Sequence, residues 1–185
     1  MRRVLHLASL AYGQTSPNPL VGAVILDSDQ RLVGEGYHSF AGQPHAEIEA
    51  MSQAGISAKG GTLLVNLEPC CHQGRTPPCT TAILESGISR VVIAMHDPDP
   101  RVSGKGVSLL RDAGLEVITG VLEEEASFIN RAFVFRNRTG RPWGILKWAM
   151  SLDGRTGLPN GVSKWISCSE SRRNVHCLRS KCDAV

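Results

Sequence analysis

Residues 62–95, TLLVNLEPCCHQGRTPPCTTAILESGISRVVIAM, read as a strand, a loop, a helix and a second strand. The run 62–67 is short, apolar and rich in β-branched residues, the pattern of a strand buried on both faces. The run 80–87 has helical spacing closed by Gly87, and 90–95 is another buried strand. Working outward, 20–27 and 31–38 read as a hairpin around Ser28-Asp29-Gln30, and 45–55 as a helix closed by Gly55. Val4, Leu5, Ala8 and Ala11 or Tyr12 give an amphipathic first helix. Downstream come a helix over 107–113 ended by Gly114, a strand over 115–119 and one charged helix over 123–138. Strands alternating with helices predict an α/β sheet with parallel crossovers, covered on both faces.

Thr139-Gly-Arg-Pro142 is a natural linker, so the expected domains are 1–139 and 143–185. In the second, 143–157 reads as a strand and turn and 169–181 as a helix, too few elements to close a core unaided.

The chain has 185 residues, 42% hydrophobic and 20% charged, with a formal charge of +3. The 20 Lys and Arg are scattered, which suits a phosphate on a small molecule and argues against a nucleic-acid surface. No apolar run approaches the roughly 18 to 20 residues needed to span a bilayer, so no membrane partner is expected. His6 interrupts the apolar stretch after Arg2 and Arg3, against a signal peptide. Of the six Cys, three cluster at 70, 71 and 79, while Cys168, Cys177 and Cys182 have no repeating spacing. That placement predicts a reducing cytoplasm and one metal site rather than disulfides. The oligomeric state is open, a homo-oligomer included.

The cluster carries a specific chemistry. Making a nucleophile from water at neutral pH takes a zinc ion with three protein ligands and one open position, which lowers the water pKa to about 7. His45, Cys70 and Cys79 are the expected Zn2+ ligands, and Glu47 the group that moves protons between water, ring nitrogen and leaving amine. His-x-Glu followed by Pro-Cys and a second Cys is the general signature of zinc base deaminases. Ligands at helix starts are helped by the dipole, which favours the thiolate. A structural zinc knuckle using His72 as a further ligand is the inert alternative, because four protein ligands close the site. The two Cys are separated by the eight residues CHQGRTPP rather than by two. That stiff, partly basic insertion can hold a phosphate.

These residues resemble a known family. Ser16-Pro-Asn-Pro-Leu-Val-Gly-Ala-Val24, Gly34-Glu-Gly-Tyr-His38, Pro44-His-Ala-Glu47, Leu67-Glu-Pro-Cys70, Gly74-Arg-Thr-Pro-Pro-Cys79 and Asp97-Pro-Asp-Pro100 resemble the deaminase half of the RibD family of bifunctional riboflavin biosynthesis proteins. Lys147-Trp-Ala-Met-Ser-Leu-Asp-Gly-Arg-Thr156 and Ser163-Lys-Trp-Ile-Ser167 resemble the opening of its reductase half. The resemblance implies a cytidine-deaminase-like α/β three-layer sandwich with a mixed central sheet, followed by the truncated start of a dihydrofolate-reductase-like domain. It implies riboflavin biosynthesis: deamination of 2,5-diamino-6-ribosylamino-4(3H)-pyrimidinone 5′-phosphate to 5-amino-6-ribosylaminouracil 5′-phosphate and ammonia. It assigns zinc to His45, Cys70 and Cys79, catalysis to Glu47, and substrate contacts to Asn18, His38, His72 and Arg75. In the reductase fragment it assigns NADPH contacts to Ala149 and Trp165, and substrate contacts to Ser163 and Arg179. Asp99 stands where the family commonly has Asn, which puts a negative charge near a phosphorylated substrate. The fragment is expected to lack reductase activity.

A deaminase for another base is the main rival, followed by a non-catalytic zinc module and a reductase. The scattered charge opposes a tRNA adenosine deaminase, and the insertion around Arg75 opposes a free-base deaminase. A zinc module that only binds predicts a closed four-ligand site, and a reductase needs more chain than 143–185.

Overall fold

The computed structural model describes residues 1–72, 77–100, 102–163 and 165–185. The chain divides into two units, Met1–Pro142 and Trp143–Val185. The first unit is built on one sheet of β1 (Gly22–Leu26), β2 (Leu32–Tyr37), β3 (Thr62–Leu67), β4 (Arg90–Met95) and β5 (Glu116–Thr119), in the order β2-β1-β3-β4-β5. β1 runs antiparallel to both β2 and β3, whereas β3, β4 and β5 are parallel. Helices α3 (Cys79–Glu85) and α4 (Lys105–Asp112) make the crossovers that parallel pairing requires. The β1–β2 turn instead closes tightly, with Gln30 at φ 63°.

Period-2 alternation sends Ala23, Ile25, Leu63, Val65, Val91 and Ile93 into one core, covered by α2 (Ala46–Ala54), α3 and α4. Val24 lies on the opposite face against Val4 and Leu7 of α1 (Arg2–Ser9). Leu67, Ala94 and Met95 meet Ala126 of α5 (Glu123–Ile129) and Val134 of α6 (Arg131–Thr139). Burying each of the larger side chains contributes about 1.5–3 kcal/mol. The result is the expected three-layer α/β arrangement around a mixed sheet.

Two glycines set how closely α2 lies on β2. A Cβ at Gly34 would come within 2.2 Å of the Ala50 carbonyl oxygen, and one at Gly36 within 2.6 Å of Glu49 Cβ. Only hydrogen fits at either position, so the helix rests directly on the strand backbone.

Two expectations fail. The single helix over 123–138 is broken into α5 and α6 at Asn130, where the backbone departs from helical geometry (φ −97°, ψ 14°) and the buried side chain bonds the backbone of Leu20. In the second unit no strand forms among the described residues of 143–157; the turn does, with Gly154 N–H donating to the Ser151 carbonyl at 2.9 Å. A strand needs a neighbour to take its backbone groups, and an apolar run without one has no reason to extend. Helix α7 (Ser169–Arg179) buries none of its residues.

Candidate active site

The side chains that could hold a metal ion come from segment ends at the carboxyl end of β3. His45 is the N-cap residue of α2, in extended backbone (φ −71°, ψ 156°), and Glu47 is the second residue of that helix. β3 leads through Glu68 and Pro69 into Cys70, and Cys79 is the first residue of α3. The Cys79 N–H donates to Cys70 Sγ at 3.3 Å, and Thr80 N–H donates to the Cys70 carbonyl at 3.2 Å. The first turn of α3 is thus wrapped on Cys70, where its free N–H groups favour the thiolate.

Whether these three residues fit a zinc ion is a question of edge lengths. Zn–S bonds of about 2.3 Å and a Zn–N bond of about 2.0–2.1 Å at tetrahedral angles put S and N roughly 3.5 Å apart and the two S roughly 3.8 Å apart. His45 Nδ1 lies 3.1 Å from Cys79 Sγ and 3.7 Å from Cys70 Sγ, and all three ligand atoms fall within 4.8 Å of one another. The triangle therefore has the size and donor set of a His-Cys-Cys zinc site. Among the described residues neither Cys71 nor His72 joins the group.

The four groups share their protons. Hydrogen bonding from Cys79, reinforced by His45, holds the Cys70 thiol down at about 4, while donation to Cys70 and burial push Cys79 far up. His45 is raised chiefly because Cys70 accepts its proton. A dication takes the place of such shared protons when it binds, and binding releases them. Glu47 is 3% exposed, and burial pushes its carboxyl above the ordinary range. That is the direction which lets a carboxyl group give back a proton near neutral pH.

Asn18 and His38 stand beside this cluster. The His38 ring meets that of His45 edge-on, with centroids 5.7 Å apart. His38 Nδ1 is 3.0 Å from the Pro44 carbonyl oxygen, so it bears the hydrogen, and Nε2 accepts from Asn18 Nδ2 at 3.0 Å. Burial lowers the His38 pKa, which favours the neutral ring. His72 is half-buried, and its Nδ1 has no hydrogen-bond partner among the described residues. Arg75 lies outside the described residues. The Asp99 N–H donates to Asp97 Oδ1 at 2.8 Å. In the second unit Ala149 is half-buried, Ser163 and Arg179 are exposed, and Trp165 lies under the Arg172 guanidinium at 4.1 Å.

Three functional-looking residues escape sequence reasoning. Glu68, 3% exposed, accepts from the backbone N–H of Gly104 (2.9 Å) and Val107 (3.1 Å), which caps α4, and sits 3.0 Å from His96 Nδ1. Asn66 and Asn130 are buried and bond the segment after Asn18. A polar residue inside the apolar run of β3 is a readable signal for Asn66; nothing local marks Asn130.

Comparison with known proteins agrees with this geometry. The cytidine and deoxycytidylate deaminase zinc-binding region matches residues 1–95. The chain belongs to the cytidine and deoxycytidylate deaminase family. Within this deaminase family it is RibD-like along its whole length, and the RibD C-terminal domain matches residues 142–185. The riboflavin biosynthesis protein RibD of Synechocystis sp. is 56% identical over all of this chain and half of its own length. The solved structure of Acinetobacter baumannii RibD superposes with a TM-score of 0.91 at 47% identity, covering 97% of this chain and 50% of that one. A diaminohydroxyphosphoribosylaminopyrimidine deaminase/5-amino-6-(5-phosphoribosylamino)uracil reductase from Thermotoga maritima gives 0.91 at 46% identity, with 97% and 51% covered. The chain spans about half the length of these RibD relatives. No helix among the described residues is long and apolar enough to cross a membrane.

Proposed function

We propose that residues 1–142 carry out the deaminase step of riboflavin biosynthesis, converting 2,5-diamino-6-ribosylamino-4(3H)-pyrimidinone 5′-phosphate and water to 5-amino-6-ribosylaminouracil 5′-phosphate and ammonia. The observation that supports this most is the His45–Cys70–Cys79 triangle with the buried carboxyl of Glu47 on the adjoining helix turn. Zinc held by His45 Nδ1 and the two thiolates would supply a water acidified to a pKa of about 7. Glu47 accepts one proton of the attacking water and passes it to the ring nitrogen, then carries the remaining hydroxyl proton to the amine at C2. The water oxygen becomes the C2 carbonyl, the C2–N bond breaks, and ammonia leaves. His38 takes up the Asn18 amide N–H, so the Asn18 oxygen remains as the acceptor for a donor on the ring edge. His72, whose Nδ1 has no partner among the described residues, is assigned a further substrate contact. Arg75, the one Arg in the insertion between the ligands, is assigned the phosphate, which its planar fork suits.

The same reading places the protein in the cytoplasm, acting on a small phosphorylated pyrimidine, with a homo-oligomer admitted. For residues 143–185 it assigns Ala149 and Trp165 to NADPH, and Ser163 and Arg179 to the reductase substrate, in a reductase domain complete around them.

The test is ammonia release by the purified, zinc-replete chain from the pyrimidine phosphate. Turnover supports the reading, and its absence at one zinc per chain overturns it. Arg75→Ala should raise KM for the phosphorylated substrate and leave the dephosphorylated analogue little changed. Equal loss on both would make the loop structural.

A further inference from the structure

The segment that follows Asn18 is held by two buried side-chain amides from distant parts of the chain. Asn130, at the α5–α6 junction and 2% exposed, accepts the Leu20 N–H through Oδ1 at 2.8 Å and donates from Nδ2 to the Leu20 carbonyl at 2.9 Å. Asn66 of β3, 0% exposed, donates to the same carbonyl at 2.9 Å and accepts the Gly22 N–H at 2.8 Å. Both lone pairs of the Leu20 carbonyl are thereby filled, and residues 20–22 are paired by side chains as a strand would be by a neighbour.

That pairing reaches the site by two short routes. Asn18 stands two residues before Leu20, and its N–H donates to the Thr15 carbonyl at 2.8 Å. The Val21 carbonyl, between the two pinned residues, accepts the His38 N–H at 2.9 Å, and His38 Nε2 accepts from the Asn18 amide. The pair Asn18–His38 therefore takes its position from a backbone stretch that Asn66 and Asn130 fix. Of the two, Asn130 is more informative, because it belongs to a helical segment with no other part in the site. Its two hydrogen bonds need one donor and one acceptor side by side, which a primary amide supplies and a carboxylate does not.

We infer that Asn130 is a positioning residue: through the backbone of Leu20 it fixes the Asn18 amide against His38, and so fixes the edge on which the substrate ring is read. The kinetic part of this inference rests on the deaminase reading above.

A double-mutant cycle of Asn130→Ala and Asn18→Ala tests it, with zinc content, KM and kcat measured for each variant. Asn130→Ala should keep its zinc and lose roughly tenfold in kcat/KM, mostly through KM, the scale of one or two buried hydrogen bonds. The double variant should be no worse than Asn18→Ala alone, since both changes remove one interaction. Penalties that multiply, or an unchanged kcat/KM in Asn130→Ala, overturn the inference. Should Asn130→Ala not fold, Asn130→Asp, which retains the acceptor and loses the donor, enters the same cycle. Amide hydrogen exchange separates this inference from the activity. Faster exchange confined to residues 15–22 in the Asn130 variant supports positioning even if the wild-type chain releases no ammonia, and unchanged protection there overturns it.

Discussion

Adding one methyl group at Gly36 should damage chemistry more than stability. A Cβ there would lie 2.6 Å from Glu49 Cβ, 2.8 Å from the Ala46 carbonyl oxygen and 2.9 Å from Ala50 N. Ordinary contact begins near 3.4 Å, and two of the three neighbours are backbone, so α2 must retreat from β2 by roughly 0.6–0.8 Å. Ala46 opens the helix, with His45 before it and Glu47 after it. The retreat therefore moves a zinc ligand and the proton carrier together. Overpacking of this kind costs about 1–3 kcal/mol of stability, while misplacement of catalytic groups by about 1 Å can cost about 10²-fold in rate. Gly34→Ala is the control, because its Cβ meets the Ala50 carbonyl oxygen at 2.2 Å and Ala54 Cβ at 2.9 Å, toward the other end of the helix. Thermal melts, zinc analysis and ammonia release per folded, zinc-loaded chain should show a stability loss in Gly34→Ala at least as large as in Gly36→Ala, yet a much larger kcat loss in Gly36→Ala. Wild-type kcat in Gly36→Ala, or equal kcat losses in the two variants, would refute the account of how α2 is seated.

Glu47→Gln should bind zinc normally and lose about 10²–10⁴ in kcat, the range of general acid–base catalysis; retained turnover would remove Glu47 from the mechanism. Burial, opposed by the Asp99 N–H and joined by the charges of Asp99 and Glu68, pushes the Asp97 carboxyl up to about 6. A raised carboxyl contributes stability that is fully present below its unfolded value of about 4 and lost as pH rises through about 6. Relative to wild type, Asp97→Asn should therefore gain about 1–2 kcal/mol between pH 4 and pH 7, after allowance for solvent screening; a urea-midpoint difference that does not change with pH would contradict this. The described residues of 143–185 form one helix with no buried side chain and an open cleft of about 280 Å³ that Ser163 and Trp165 help line. A dinucleotide needs a larger pocket with several converging elements, so this 185-residue polypeptide should not consume NADPH in the presence of the deaminated product; product-dependent loss of nicotinamide absorbance would show otherwise.

Local period was enough for most of the fold. The runs 62–67 and 90–95 are strands with the bounds read from their apolar residues, because a buried strand is specified by its own composition once helices cover both faces. The helix over 123–138 is interrupted at Asn130, whose buried side chain serves a contact 110 positions away, while in its own window Asn130 looks like any solvent-facing polar residue. The apolar stretch after Pro142 was misread for a related reason: extension depends on a partner strand, and none pairs with it among the described residues.

The site divides along the same line. His45, Glu47, Cys70 and Cys79 could be found in the sequence because their side-chain types are the chemistry, and few structural roles ask for that set in that order. Asn18 and His38 could be placed only by resemblance, since an Asn between two Pro and a His at a strand end are ordinary alone. What makes them a unit is His38 Nδ1 bonded to the Pro44 carbonyl, which forces Nε2 to accept the Asn18 amide. Behind them, Asn66 and Asn130 act through the backbone of residues 20–22, and no pattern in a single sequence encodes such a contact. Substitutions that leave every candidate ligand and proton carrier intact should therefore still impair the proposed deamination when they fall on Gly36 or Asn130, because the reacting groups are supplied locally while their spacing is set by the whole sheet.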